Sequence, residues 1–271
     1  MDTPVEQLTR ALAALRSTLS VFRLSREHLV PDMALLGFLN EVEEHGEIVL
    51  HIGAHRFCDR AYPAARAVFE SSQRAVVLAM QPDYDIAGAR AWVYYLRRER
   101  DFALDVGGPG YVREDGMTPD SWYAAALDEI ADVWDSVSKG KGQIIHKAAA
   151  LVARRSKPDN FLGVNVAPEI RDRFAAVYQR AGLTTSIDVA RIQNNAYAAA
   201  SLQAHPQTRL RPSNLAEHED GSIVITFEER DRPHQYNGAV TLAAGAIGLA
   251  DMAARLRLSG ATRPPAPTPE G

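Results

Sequence analysis

The 271-residue sequence predicts a mainly α-helical protein, a multi-helix bundle with one or two short strands near residues 222–229. Apolar residues recur every three or four positions through most of the chain, which is the repeat of helices that bury one face. Prolines and glycines fall at the ends of these segments, where they begin or stop helices. One segment, SIVITFE at residues 222–228, alternates β-branched and aromatic residues as a strand does.

The first two predicted helices occupy residues 3–29 and 32–60. Asp2 or Thr3 offers an N-cap for the first helix, and Pro31 is expected to separate it from the second. Asp32 is the expected cap of the second helix. Glycines within this second segment lower its helix propensity without ending it.

The next helices are bounded by residues that break helices. Pro63 in the first turn and Pro82 just after the end delimit a helix over residues 62–81. A helix over residues 85–104 stops at the sequence GGPG of residues 107–110.

The second half of the chain predicts five more helices and a tail. Thr118 and Pro119 open a helix that ends near Ser138, as an N-cap followed by proline does. The remaining helices are predicted at residues 143–154, 168–181, 187–204 and 235–258. We therefore expect residues 1–258 to form a single helical domain, followed by a disordered proline-rich tail at residues 259–271.

Composition limits the cellular setting and the class of partner. The net charge of −4 argues against a global basic field for nucleic acid but leaves room for a local basic groove. The lone Cys58 favours a reducing cytoplasm, and we find no signal peptide or long uninterrupted apolar run that predicts a membrane span. The glycine- and alanine-rich final helix and the lone strand would suit a homodimer contact.

Glu47, His51, His55 and Asp59 follow one another at intervals of four, so they would line one stripe of a helix. Two histidines at this spacing can reach one metal ion, and the carboxylates could complete the site of a metal-dependent hydrolase. The zinc-protease motif is absent, because Ile52 and not glutamate follows His51. The alternative interpretation is a solvated helix face with ion pairs.

A second set of polar residues comes from two distant segments. Arg66 and Glu70 lie one turn apart on a helix that is otherwise mostly apolar or small, and Tyr197, Ser201 and His205 share one face of a later helix. We expect these residues to form a polar pocket between the two helices. The alternative is a satisfied buried network without a ligand.

This pocket supports two hypotheses about function, and the sequence does not decide between a binding or regulatory module and an enzyme. In the enzyme, His205 would act as general acid or base and Arg66 would stabilise a phosphodiester, so RNA would be the substrate. In the module, RNA or a protein would be the partner. No phosphate loop or dinucleotide fingerprint is present, and the sequence leaves any cofactor unknown.

Three segments together resemble a family of helical bacterial proteins of unknown function. They are the R-x-x-F-E helix at residues 66–70, DYDIAGARAWVYYLR at residues 83–97, and Y-x-x-x-S-x-x-x-H-P at residues 197–206. The resemblance covers roughly residues 40–255. It implies a relation to HEPN-like helical proteins, which include toxin and antiphage ribonucleases, and therefore a role in stress or phage defence.

The HEPN ribonuclease pattern, an arginine followed shortly by a histidine, has two literal matches in this chain. They are Arg23 with His28 and Arg211 with His218. Neither arginine is followed by the polar residue usual in that family, which weakens the ribonuclease interpretation.

Overall fold

The computed structural model describes residues 3–52, 61–108, 110–153 and 233–260, together with the short segments 215–217 and 223–225. This part of the chain is mainly helical, which confirms the predicted fold class. Its helices are α1 (Pro4–Val21), α2 (Leu29–Ile52), α3 (Ala61–Ala79), α4 (Tyr84–Gly107), α5 (Pro119–Val137), α6 (Gln143–Ala153) and α7 (Pro233–Leu258).

The strand predicted near residues 222–229 is not borne out as an element of that length. The described backbone contains only the three-residue segments β1 (Leu215–Glu217) and β2 (Ile223–Ile225), which pair antiparallel with Ala216 opposite Val224. The sequence alone located no pairing partner, because residues 215–217 are too few to establish a strand-like alternation.

Local capping explains where several helices begin. The Thr3 hydroxyl accepts from the Glu6 N–H while the Thr3 N–H donates to the Glu6 carboxylate, the reciprocal pattern of a capping box. Asp83 caps α4 by accepting from the backbone of its first turn, and Thr118 does the same for α5, with Pro119 at the first helical position.

The boundary between α1 and α2 differs from the prediction. The first helix ends at Val21 and not near residue 29, because Phe22 is extended, with φ −65° and ψ 131°. Arg23 then donates to the Phe22 carbonyl, a group that a continuing helix would use itself. Pro31 lies in the first turn of α2, where its missing N–H costs no hydrogen bond, so it belongs to the helix and does not separate two helices.

The larger core lies where α3 and α7 pack together with α1, α2 and part of α4. The α7 stretch Tyr236–Leu258 is long and apolar enough to cross a membrane by length and composition, and 67% of its most apolar part is buried in the fold. Its buried alanines, including Ala239, Ala243 and Ala246, present little side chain and let neighbouring helices approach closely.

A smaller core joins α4, α5 and α6 and is centred on the fully buried Trp134. Val30 at the start of α2 belongs to the same cluster. One close approach fixes the crossing of α2 and α4, because a Cβ on Gly88 would lie 2.2 Å from the Cα of Pro31. Glycine is the residue that permits two backbones to lie this near each other.

Several predicted elements lie outside the described residues. These are residues 53–60 of the second predicted helix, the helices at 168–181 and 187–204, and residues 261–271 of the predicted tail. The single-domain organisation therefore stays a prediction.

Candidate functional site

Helix α3 is buried on almost every side, and its exposed strip is charged. From residue 64 to residue 79 every side chain is buried except Arg66, Ala67, Glu70 and Arg74. The three charged residues follow one another at intervals of four, so they form a row along one face. We call Arg66, Glu70 and Arg74 the α3 charged row.

Glu70 holds both arginines of the row. Arg66 Nε donates to Glu70 Oε1 at 2.7 Å, and Arg74 Nη2 lies 3.8 Å from Glu70 Oε2. All three side chains are about one quarter exposed or less, so the ion pairs are partly shielded from water. The row therefore presents two guanidinium groups that one carboxylate keeps in place.

Side chains from α2 and α4 border the row. Ser71, next to Glu70, donates its hydroxyl to Glu41 Oε2 of α2 at 2.6 Å. Burial raises the pKa of Tyr95 on α4 to about 12, an effect that the positive charge of Arg74 opposes and the negative charge of Glu41 reinforces. The charges of Arg74 on α3 and of Glu41 on α2 therefore both act on the Tyr95 phenol.

The structure brings together one part of the site expected from the sequence. Arg66 and Glu70 are paired as their spacing suggested. Tyr197, Ser201 and His205 lie outside the described residues, so their convergence on Arg66 stays a prediction.

Sequence reasoning missed the other members of this site. Arg74 continues the same spacing one turn beyond Glu70, and extending the pattern by four residues would have found it. Glu41, Ser71 and Tyr95 carry no such signal, because two of them come from other helices and Ser71 lies beside the row along the chain.

The predicted metal stripe is only partly within the described residues, since His55 and Asp59 lie outside them. Glu47 Oε1 accepts from Arg16 Nη2 at 2.6 Å, and the exposed His51 donates from Nδ1 to the Glu47 carbonyl at 2.9 Å. Within the described ranges, no three histidine, cysteine or acidic residues are grouped to hold a metal ion. The metal-dependent hydrolase stays a prediction.

Arg16 also explains why this face of α2 is ordered. Its Nε donates to Glu43 at 2.7 Å, and the hydrogen bond to Glu43, with that to Glu47, raises the pKa of the guanidinium against the opposing effect of burial. The contacts of Glu47 and His51 are those of an ion-paired helix face.

A second polar cluster, which the sequence did not predict, surrounds Asp32 in the first turn of α2. Asp32 is 1% exposed, and its carboxylate accepts from the Arg257 guanidinium, the Tyr84 hydroxyl and the Ser25 N–H. Burial raises the pKa of Tyr84 well above its usual value, and the negative charge of Asp32 adds to this. Burial lowers the pKa of Arg257, but hydrogen bonding to Asp32 and the charge of Asp32 outweigh it, so the net shift is upward.

Beside this cluster, Asp85 at the start of α4 binds His28 and Lys141. His28 Nδ1 lies 2.6 Å from Asp85 Oδ1, and Lys141 from the turn between α5 and α6 donates to the other oxygen. The His28 ring also packs edge to face on Tyr84, with ring centroids 5.8 Å apart. These contacts tie the α1–α2 connection to α4 and to the α5–α6 turn, which is an architectural role.

The contacts of His28 also concern the first match to the HEPN ribonuclease pattern, which pairs Arg23 with His28. Arg23 donates to the carbonyls of Ser20 and Phe22, whereas His28 turns to Asp85. The two residues of the pattern therefore bind separate partners.

The α3 charged row is the arrangement best suited to a ligand among the described residues. Two planar guanidinium groups on a helix that is otherwise largely buried can donate parallel hydrogen bonds to an anion such as a phosphate. Because the surroundings are partly buried, such contacts are stronger than on an open surface. The chain matches no protein-family model, no curated protein and no solved structure, so its own geometry is the basis for assigning this site.

Proposed function

We propose that the protein is a helical binding or regulatory module that recognises a phosphate-bearing ligand at the α3 charged row. The observation that carries this proposal is the position of Arg66 and Arg74 on either side of Glu70, on a helix buried almost everywhere else. Charged side chains are costly to hold in such a setting unless they have partners. A ligand phosphate would be a further partner for both arginines.

The electrostatics of the row favour an anion. Two arginines and one glutamate give the row a net charge of +1, whereas the whole chain carries −4. The Cα atoms of Arg66 and Arg74 are about 12 Å apart for eight residues of helix, and both side chains lean toward Glu70 between them. The guanidinium groups are thereby close enough together to approach one phosphate or two adjacent ones.

We propose RNA as the phosphate-bearing ligand. The sequence predicts that the polar segment with His205 faces the same row, and RNA is the ligand expected for that pocket. The ribonuclease hypothesis adds His205 as general acid or base to the same arginine. Cytoplasmic location, a homodimer contact through α7 and a role in stress or phage defence accompany the proposal and rest on the sequence alone.

The test measures binding of a labelled short single-stranded RNA to the full chain by fluorescence anisotropy. Inorganic phosphate is then added as a competitor. Removing a charged hydrogen-bond donor typically weakens binding by about tenfold or more. We expect that loss for Arg66→Ala and for Arg74→Ala. Electrophoresis of the RNA after incubation tells binding from cleavage, and His205→Ala would abolish cleavage alone.

The matched control is Arg255→Ala. Arg255 is also an arginine in an i,i+4 ion pair, donating to Asp251 at 2.8 Å on α7. It should leave RNA binding unchanged. If the Arg66, Arg74 and Arg255 variants bind RNA equally well, the α3 charged row is not the ligand site.

A further inference from the structure

The C-terminal end of α4 exposes large apolar side chains. Phe102 is 68% exposed and Val106 72%, and in the turn that follows Tyr111 is 38% and Val112 52% exposed. A single exposed apolar residue is ordinary, but four within eleven positions are a feature to explain. We call Phe102, Val106, Tyr111 and Val112 the Phe102 patch.

The turn brings Tyr111 back to the helical part of the patch. Phe102 and Val106 are one turn apart on the same face of α4. After Gly108, whose φ of 76° ends the helix, the Tyr111 N–H donates back to the Gly108 carbonyl at 3.1 Å. The Tyr111 ring lies against the helix end so closely that a Cβ on Gly107 would be 2.2 Å from it. The turn therefore places Tyr111 next to Val106.

An ordered turn holds the patch in place. The Arg113 N–H donates to the Met117 carbonyl at 2.9 Å, and the Arg113 guanidinium lies 4.4 Å from the centre of the Trp122 ring on α5. A surface that is rigid before binding loses less conformational entropy when a partner docks.

The segment that carries the patch is acidic. Residues 97–120 contain six acidic residues and four arginines, so their net charge is −2. Three of the four arginines lie next to this segment's own acids: Arg97 and Arg100 are 3.7 and 2.5 Å from Asp101, and Arg113 is 3.4 Å from Asp115. Arg98 is exposed one turn before Phe102. The exposed acidic side chains of this segment, which we call the acidic rim, are Glu99, Asp105, Glu114, Asp115 and Asp120.

We propose that the Phe102 patch docks a basic, amphipathic helical segment of another protein. The apolar face of that helix would cover Phe102 and Val106, and its lysines or arginines would face the acidic rim. The rim repels phosphate, which argues against a nucleic acid or an anionic lipid surface. It would also repel a second copy of itself, since each copy brings a net charge of −2 from residues 97–120.

The experiment uses the full chain and a synthetic helical peptide with leucines on one face and lysines on the other. A matched peptide has the same leucines with glutamates in place of the lysines. Calorimetry should detect binding of the lysine peptide, at least about tenfold tighter than that of the glutamate peptide, with an affinity that falls as salt rises. Reversing rim charges with Asp105→Lys and Glu114→Lys should invert the preference.

The double variant Phe102→Ser, Val106→Ser should lose binding of the lysine peptide while keeping the wild-type melting temperature, because both side chains are exposed. Val21→Ser and Val133→Ser, at positions 58% and 49% exposed outside the patch, should bind as the wild type does. Equal affinity for the two peptides, or full binding by the double variant, would overturn the proposal. A dimer in sedimentation that the double variant abolishes would assign the patch to a second copy and overturn it as well.

Discussion

The guanidinium group of Arg257, near the end of α7, donates to both carboxylate oxygens of Asp32 in the first turn of α2, at 2.7 and 3.2 Å. The two residues are 225 positions apart in the chain. Tyr84 from α4 donates to the same carboxylate, so one buried charge joins three helices. The Asp32 carboxylate has both a counter-charge and hydrogen-bond donors, which is the condition under which a buried charge is tolerated.

Arg257→Met should therefore destabilise the protein strongly. The variant leaves Asp32 buried without its counter-charge, and such a loss typically lowers the free energy of unfolding by about 3–5 kcal/mol. Urea denaturation measures it. Arg16→Met is the control, because Arg16 is 49% exposed and its pairs should contribute about 1 kcal/mol or less. If the two variants lose similar stability, the Asp32 cluster does not hold the helices together.

Two glycines should respond in opposite ways to alanine. Gly88→Ala places a Cβ 2.2 Å from the Pro31 Cα, and because the obstacle is backbone we expect a loss of about 1–3 kcal/mol or more. Gly37 lies exposed in the middle of α2 with nothing within 4 Å of the added atom, so Gly37→Ala should stabilise by about 0.5–1 kcal/mol. Thermal melting of both variants checks this, and the same sign for the two would contradict the close approach of α2 and α4.

Stability should fall in alkaline solution partly through Tyr95. Its pKa is raised from an ordinary value of 10 to about 12, chiefly by burial. Below pH 10 the phenol is neutral in both states, and its contribution is fully present. Between pH 10 and 12 the unfolded chain loses the proton while the folded protein keeps it, so the free energy of unfolding decreases as pH rises.

Tyr95→Phe isolates that contribution from those of the other tyrosines. We expect the variant to lose less stability than the wild type between pH 10 and 12, as measured by urea denaturation at each pH. Parallel pH profiles for the two proteins would mean that Tyr95 titrates normally.

Two adjacent serines on α3, Ser71 and Ser72, test the hydrogen bond that joins α3 to Glu41 of α2. Ser71→Ala removes the donor to the Glu41 carboxylate and should cost about 1–2 kcal/mol. Ser72 is also buried, but its hydroxyl donates to the Val68 carbonyl of its own helix, so Ser72→Ala should change stability by about 0.5 kcal/mol or less. Chemical denaturation compares them, and an equal loss would show that the contact with Glu41 is not specific.

Much of the helical framework was predictable because its signals are local. Thr118 and Pro119 start α5 where expected, and Pro63 lies in the first turn of α3. The boundary predicted at Pro31 was wrong, since a proline in the first turn and a proline that separates two helices look alike in a sequence. The difference lies in the backbone of Phe22, which leaves the helical conformation earlier than the apolar repeat suggests.

The polar sites likewise contain one contact that could be predicted from the sequence and others that could not. Arg66 and Glu70 pair along one helix, and a spacing of four residues is enough to predict the contact. The meeting of Glu41 with Ser71 depends on how α2 crosses α3, and that of Asp32 with Arg257 on how α7 returns to α2. Neither crossing leaves a pattern in the residues nearby.

Within the described residues, the sequence by itself determined that the chain is mainly helical, where several helices begin, and that α3 carries charge on one face. Those features depend on hydrogen bonds and steric preferences within a few residues of the chain. Tertiary structure alone decided which charges became buried partners and which apolar residues, such as Phe102, stayed at the surface. Burial is a property of the whole packed chain, because the groups that exclude water from a side chain come from helices distant in sequence.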